Sequence, residues 1–250
     1  AIKKTLTIPE WLNDEAIKQG LNFSQILQEA LSGNADSRLK NIVATIQEEQ
    51  NKVIRNTEDK NLIVCIKPIG LDSEKEMVDA IKEVYSGEIY TIHRLDKNVG
   101  GVMVYARNKQ TAALLSRHIQ EGSMIKEYVA MVHGTPDIKG DWEDLLWKDS
   151  TKNKVFVVKR ERKGVKKARL EYTCLLQDNP SIVKVRLHTG RSHQIRVQFA
   201  SRGFPLVGDH KYGSKDSSTN PMLFSCCITF PYQKEIKKFE YYPEWAKAFV

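Results

Sequence analysis

The chain has 250 residues and carries 39 Lys and Arg against 31 Asp and Glu, a formal net charge of +8. That length allows one sizeable core or a domain of about 200 residues with a small appendage, and the basic excess suits a polyanionic partner. No apolar run approaches bilayer length and no charged-then-apolar signal stretch opens the chain, so membrane-spanning and secreted classes are set aside and a cytoplasmic protein is expected. Cys65, Cys174, Cys226 and Cys227 show no Cys-x-x-Cys spacing, which reads as buried thiols in a reducing compartment.

Residues 1–33 read as a small unit. Ile2, Leu6 and Ile8 alternate with Lys3, Thr5 and Thr7 as a short strand, Pro9 fits a first helical position, and Trp11, Leu12, Ala16 and Ile17 form an apolar stripe ending at Gly20. Asn22, with Gln25 three residues on, caps a second helix with Phe23, Ile26, Leu27, Ala30 and Leu31 on its apolar face. This strand-helix-helix order resembles the ribbon-helix-helix domain of HicB-type antitoxins. The resemblance implies a homodimer through paired strands and DNA contact through Lys3, Thr5 and Thr7. A segment that packs and binds nothing remains the alternative. Residues 34–51 read as a linker helix with a sparse stripe at Leu39, Ile42, Val43 and Ile46.

The larger domain is expected over residues 52–250. Val53-Ile54 and Leu62 to Ile66 form a hairpin pattern, and Lys67-Pro68-Ile69-Gly70 ends it. Helical periodicity follows over Glu74 to Tyr85 and Lys109 to Gln120, and strands are expected at 89–92, 102–106, 126–132, 155–158, 168–176, 182–187, 192–199 and 223–230. Many strands, short turns and few helices define an α+β class with a mostly antiparallel mixed sheet and flanking helices.

Four stretches carry chemistry. His93 to Gly101 places Asp96 between two apolar segments beside Gly100 and Gly101, which permit tight turns and close backbone approach. Lys126 and Tyr128 share one side of a strand. Gly190 to Val197 alternates so that, as a strand, Gln194 and Arg196 point one way, and Gly203 to Gly213 is glycine-rich with basic and aromatic side chains. Singly, each has a bland reading: His93 and His193 as structural hydrogen-bonders, Arg196 as a sheet-edge ion pair, Tyr128 as core. Between Lys152 and Arg169 a basic run that includes Lys159, Arg160, Arg162, Lys163, Lys166 and Lys167 is opposed only by Glu161; it reads as an RNA-backbone contact or as a solvated hairpin tip.

In order and spacing, His93-Arg94-Leu95-Asp96 with Gly101, Lys126-Glu127-Tyr128 and Gly190 to Val197, preceded by Lys67 to Gly70 and followed by Gly208 to Gly213, resemble the motifs of RluA-type RNA pseudouridine synthases. One departure is Val99-Gly100 where the family commonly has Thr-Ser. The resemblance implies that Asp96 attacks the ribose or starts base removal, that Tyr128 stacks on uracil and assists proton removal from C5, and that Arg196 pairs with Asp96. Arg94 would hold the place of the flipped-out nucleotide, and Lys126, Arg191, His193 and Gln194 would bind substrate. It also implies an RNA partner, ribosomal or transfer RNA, with neither cofactor nor metal, because the isomerisation has no redox step and adds no group. A carboxylate beside a base is disfavoured by desolvation and favoured by a neighbouring guanidinium. The alternative is a non-catalytic nucleic-acid-binding regulator whose N-terminal unit contacts DNA.

Overall fold

The computed structural model describes residues 54–55 and 59–250, so the ribbon-helix-helix reading of residues 1–33 and the linker helix over 34–51 lie outside the described residues. In chain order the elements are β1 (Ile54–Arg55), β2 (Leu62–Lys67), α1 (Glu76–Val84), β3 (Tyr90–Thr91), β4 (Gly100–Ala106), α2 (Lys109–Gln120) and β5 (Ile125–Val132). They continue with β6 (Lys139–Asp149), β7 (Lys154–Val158), β8 (Val165–Leu176), β9 (Ser181–Leu187), α3 (Gln194–Ala200), a 3-10 turn at His210–Tyr212, β10 (Leu223–Tyr232), β11 (Glu235–Glu240) and a 3-10 segment at Glu244–Phe249. No helix among the described residues is long and apolar enough to cross a membrane.

The strands form one mixed sheet in the order β1-β2-β4-β10-β5-β9-β8-β6-β7, with β11 on β10 and β3 on β4. All pairs are antiparallel except β4 with β10. Both faces of the central strands are covered, which is why β2 and β4 read as continuous apolar runs. Ile63, Cys65, Met103 and Tyr105 face a core shared with Met77 and Ile81 of α1 and with Ile195 and Phe199 of α3. Their neighbours Leu62, Val64, Val102 and Val104 face the opposite core with Leu115 of α2. Helix α2 begins where its periodicity predicts, because the Asn108 side chain accepts from the Thr111 amide at 2.8 Å.

Strand β4 is paired along one edge by β2, but its other edge is shared by β3 near the end and β10 at the start. Two side chains fill the gap between them: His93 Nε2 accepts from the Val104 amide at 3.2 Å, and Ser225 Oγ donates to the Val102 carbonyl at 3.1 Å. The loop bearing Asp96 leaves the sheet at this split. At its edge Gly101 pairs with Ser225, has φ +134°, and a Cβ there would lie 2.4 Å from the backbone N and O of Ser225. Of the two adjacent glycines, the second is therefore required by the parallel approach.

Residues 192–199 are not a strand. Gln194–Ala200 is helix α3, and Gln194 through Phe199 are all buried. The polar-apolar alternation imitates a half-exposed strand, yet each polar residue is buried against its own partner, and tertiary burial overrides β propensity. Two helical positions differ by roughly 200°, so Gln194 and Arg196 face different ways. Strands β6 and β11 are absent from the sequence reading. Acidic residues and Gly140 mask β6, which pairs with basic β8 over nine residues from Lys139 to Trp147, while β11 is a charged strand on β10.

Replacing Gly101 with alanine is expected to destabilise the protein by about 2 kcal/mol or more, because the Ser225 backbone cannot yield as a side chain would. Gly203→Ala, at φ +86° with nothing within 4 Å of the added carbon, is expected to lose only about 1 kcal/mol. Thermal melts of both variants check the contrast, which disappears if the β4–β10 approach is not close.

Candidate active site

The Asp96 loop is built from the segment before it. Lys67, fully buried, donates through Nζ to the carbonyls of Pro68 and Leu71, both at 2.8 Å, and of Lys97 at 3.3 Å. The Gly70 amide donates to the same Lys97 carbonyl at 2.8 Å. Buried Ser73 accepts from the Leu95 amide and donates to its carbonyl, at 3.1 and 2.9 Å. Burial lowers the Lys67 pKa to about 8, with Asp72 and then Asp96 opposing that shift. Three carbonyls use all three ammonium protons, so the charged form fits this geometry. Lys67 and Ser73 are missing from the sequence reading; the Lys67 to Gly70 motif signalled the first, and nothing local signalled the second.

Asp96 is partly exposed, and its Oδ2 accepts from Arg196 Nη1 at 3.1 Å across a hundred residues of sequence. The rest of the Arg196 fork is held from behind: Nε and Nη2 donate to Asp209 Oδ2 and Oδ1 at 2.7 and 2.8 Å. Asp209 has a side chain 1% exposed. Burial works against the Arg196 charge, but Asp209 and then Asp96 outweigh it and raise its pKa. The guanidinium also lies 5.2 Å from the centre of the Tyr212 ring. Asp209 and Tyr212 stand in the Gly208 to Gly213 motif, the one signal that could have singled them out.

These groups open onto a cleft of about 1140 Å³ lined among others by Asp96, Tyr128, Lys126, Arg191, His193 and Arg196, where lysines and arginines outnumber acids. Tyr128 is buried, and burial followed by the Asp96 charge raises its pKa. It is a neutral phenol, suited to stacking and ill suited by itself to removing a proton. Lys126, beside it on β5, has its pKa lowered by burial and no hydrogen-bond partner among the described residues. Arg94 reaches the same cleft from the exposed side of the loop and pairs with Glu74 at 2.9 Å. His93 is buried away from solvent, and burial and then Lys126 lower its pKa to about 3, so it is a neutral acceptor that completes the sheet.

Other expected contacts are engaged internally or face elsewhere. Gln194 is held from within: Oε1 accepts from Thr189 Oγ1 and the Arg191 amide at 2.7 and 3.0 Å, and Nε2 donates to the Arg169 carbonyl at 3.0 Å. It shapes the 189–191 turn and also lines a small recess beside the cleft with Asp96, Tyr128 and His193. Lys159, Arg160, Arg162, Lys163, Lys166 and Lys167 are exposed on the connection that crosses from β7 past β6 to the start of β8, and do not line the cleft. Arg162 lies 4.8 Å from the Trp147 ring centre. Glu161 is not the only acid opposing the run, since Arg169 donates to both carboxylate oxygens of Asp141 at 3.0 and 2.7 Å. Arg202 is held by Asp144 at 2.8 Å over the Trp142 ring and does not line the cleft. Lys211 does line the cleft.

The family model for RNA pseudouridylate synthases matches residues 59–201. An uncharacterized RNA pseudouridine synthase of Aquifex aeolicus is 39% identical over 189 residues, covering 67% of this chain and 58% of that one. A ribosomal large subunit pseudouridine synthase D of Borreliella burgdorferi is 31% identical over 215 residues, covering 77% of this chain and 65% of that one. The chain thus spans less than two thirds of the length of these curated relatives. Among solved structures, human RNA pseudouridylate synthase domain containing 4 superposes with a TM-score of 0.67 at 22% identity over 80% of this chain and 92% of that one, a likeness of fold. The chain belongs to the RNA pseudouridylate synthase family.

Removing one partner from a buried ion pair strands the other. Arg196→Met is expected to destabilise by about 3–5 kcal/mol, because it leaves Asp209 buried and unpaired. Adding Asp209→Leu to that variant is expected to restore much of the loss. Urea unfolding of the single and double variants checks this, and equal losses in both would refute the pairing.

Proposed function

We propose that residues 52–250 form a catalytic domain that isomerises particular uridines of structured RNA to pseudouridine, with Asp96 as the reacting carboxylate. The observation that carries this reading is the 3.1 Å contact of Asp96 with an arginine anchored from behind by a buried aspartate, set in a basic cleft with Tyr128. Family membership supports it. A ribosomal substrate takes support from the printed name of the Borreliella relative, and transfer RNA is the other class.

The target uridine must leave its stack to reach Asp96, and the Tyr128 ring offers a surface for the extruded base. Asp96 attacks C1′ or takes the 2′ proton. The C1′–N1 bond breaks, and its electron pair leaves with the base. The base turns in the cleft and C5 bonds to C1′, as the Asp96–C1′ bond breaks and frees the carboxylate or, on the other route, as Asp96 returns the proton to C2′; the C5 proton is then lost to a base in the pocket. Arg196 supplies a charge that does not titrate away during these steps. Arg94 holds the place of the flipped-out nucleotide, Lys126 and Arg191 meet phosphates of the bent strand at the cleft, and the β7–β8 connection meets RNA farther from the target.

Asp96→Asn is expected to abolish product, read as pseudouridine by nucleoside chromatography, while RNA binding by filter retention stays within about twofold; the carboxylate is required for bond breaking and its loss leaves the basic surface intact. Pseudouridine formation by that variant refutes the role of Asp96. Lys163→Glu with Lys166→Glu is expected to weaken RNA binding and to reduce the slope of log K against log salt by roughly one to two. An unchanged slope removes the β7–β8 connection from the RNA contact surface.

A further inference from the structure

His193 occupies a conformation that its residue type rarely takes. Its φ of +50° is left-handed, and it starts helix α3 without capping it. Such backbone strain in a non-glycine residue persists where surrounding contacts demand it. Here those contacts are polar and directional. Nδ1 lies 2.8 Å from Tyr212 Oη, and the same Oη accepts from the Val155 amide at 2.9 Å. The amide can only donate, so the phenol hydrogen is free to be donated to Nδ1, the arrangement that places the imidazole hydrogen on Nε2. Nε2 faces Asp96 Oδ2 at 3.8 Å, one small movement beyond hydrogen-bond range. Arg196 donates to that same oxygen. Among the described residues no donor reaches Asp96 Oδ1.

We propose that His193 is a positioning residue for Asp96: its Nε2–H, fixed by Tyr212, closes on Oδ2 when a nucleotide fills the cleft and leaves Oδ1 as the reacting oxygen. This rests on the pseudouridine synthase reading and moves His193 from substrate contact to orientation of the carboxylate. Burial favours the neutral ring it requires, as does the nearby Arg196 charge, while Asp96 pulls the other way.

Two variants separate this role from a structural one. Asn adopts left-handed backbone readily, yet its amide ends near the Nδ1 position and falls short of Asp96, whereas Gln places an N–H near Nε2. His193→Asn is expected to lower kcat roughly 10- to 100-fold with KM changed less than about threefold, and His193→Gln to recover most of kcat. A loss confined to KM, or a Gln variant no better than Asn, overturns the proposal. Nitrogen-15 NMR of histidine-labelled protein reads the tautomer without any turnover. The expected signal is a neutral Nε2–H ring that becomes a tautomer mixture in Tyr212→Phe; an Nδ1–H or charged ring at neutral pH overturns it. Should the wild-type protein convert no uridine, the function fails, but the NMR result still decides whether His193 is set toward Asp96.

Discussion

The guanidinium of Arg196 is the point on which the site depends. One end is locked by two short hydrogen bonds to Asp209, almost wholly buried, and the other presents Nη1 to Asp96. A buried ion pair contributes little net stability, since desolvation offsets most of the attraction, so its value here is orientation. Asp209 fixes the plane of the fork, and the fork fixes where the Asp96 carboxylate rests. Tyr212 extends the same array, with its ring under the Arg196 guanidinium and its hydroxyl bonding His193 and the Val155 amide. Helix α3, the 208–213 turn and the β6–β7 hairpin thereby act as one support for a single oxygen atom.

Opposite that support stands the split in the sheet. Strand β4 exchanges one partner for another along its edge, and His93, Ser225 and Gly101 repair the opening. Lys67 and Ser73 hold the emerging loop from below through backbone atoms. Asp96 therefore approaches Arg196 from a rigid base, as its proposed role of meeting a reacting atom within a fraction of an ångström requires. The two halves of the site come from segments 100 residues apart in sequence, and only the folded sheet brings them together.

Much of this was legible in the sequence where a local pattern carried it. Helix α2 was legible in its periodicity over Lys109 to Gln120, and Asp96 stood beside a glycine pair whose second member is now traced to the Ser225 backbone. The pairing of Asp96 with Arg196 was expected from family resemblance and agrees with the geometry. The failures share a cause. Residues 194–199 imitate a strand because every one is buried, so their alternation reports partners and not a solvent face. Gln194 was expected at the substrate from family resemblance; its hydrogen bonds are internal, while it also lines the recess beside Asp96 and Tyr128. Strand β6 was hidden by acids whose purpose is to face basic β8, and the clamp of Asp209 on Arg196 depends on a tertiary approach that no local spacing encodes. The left-handed turn at His193 is likewise imposed from outside, by Tyr212 and Val155.

The account stands or falls on whether this arrangement breaks and remakes a glycosidic bond. Release of tritium from transcripts labelled at uridine C5 measures that step directly, since the label leaves only when C5 joins the ribose. With ribosomal or transfer RNA lacking the modification, the full chain should release tritium in amounts that plateau at whole-number sites per molecule without added cofactor. Tight RNA binding with no tritium released from either class would contradict the account and favour a non-catalytic RNA-binding protein.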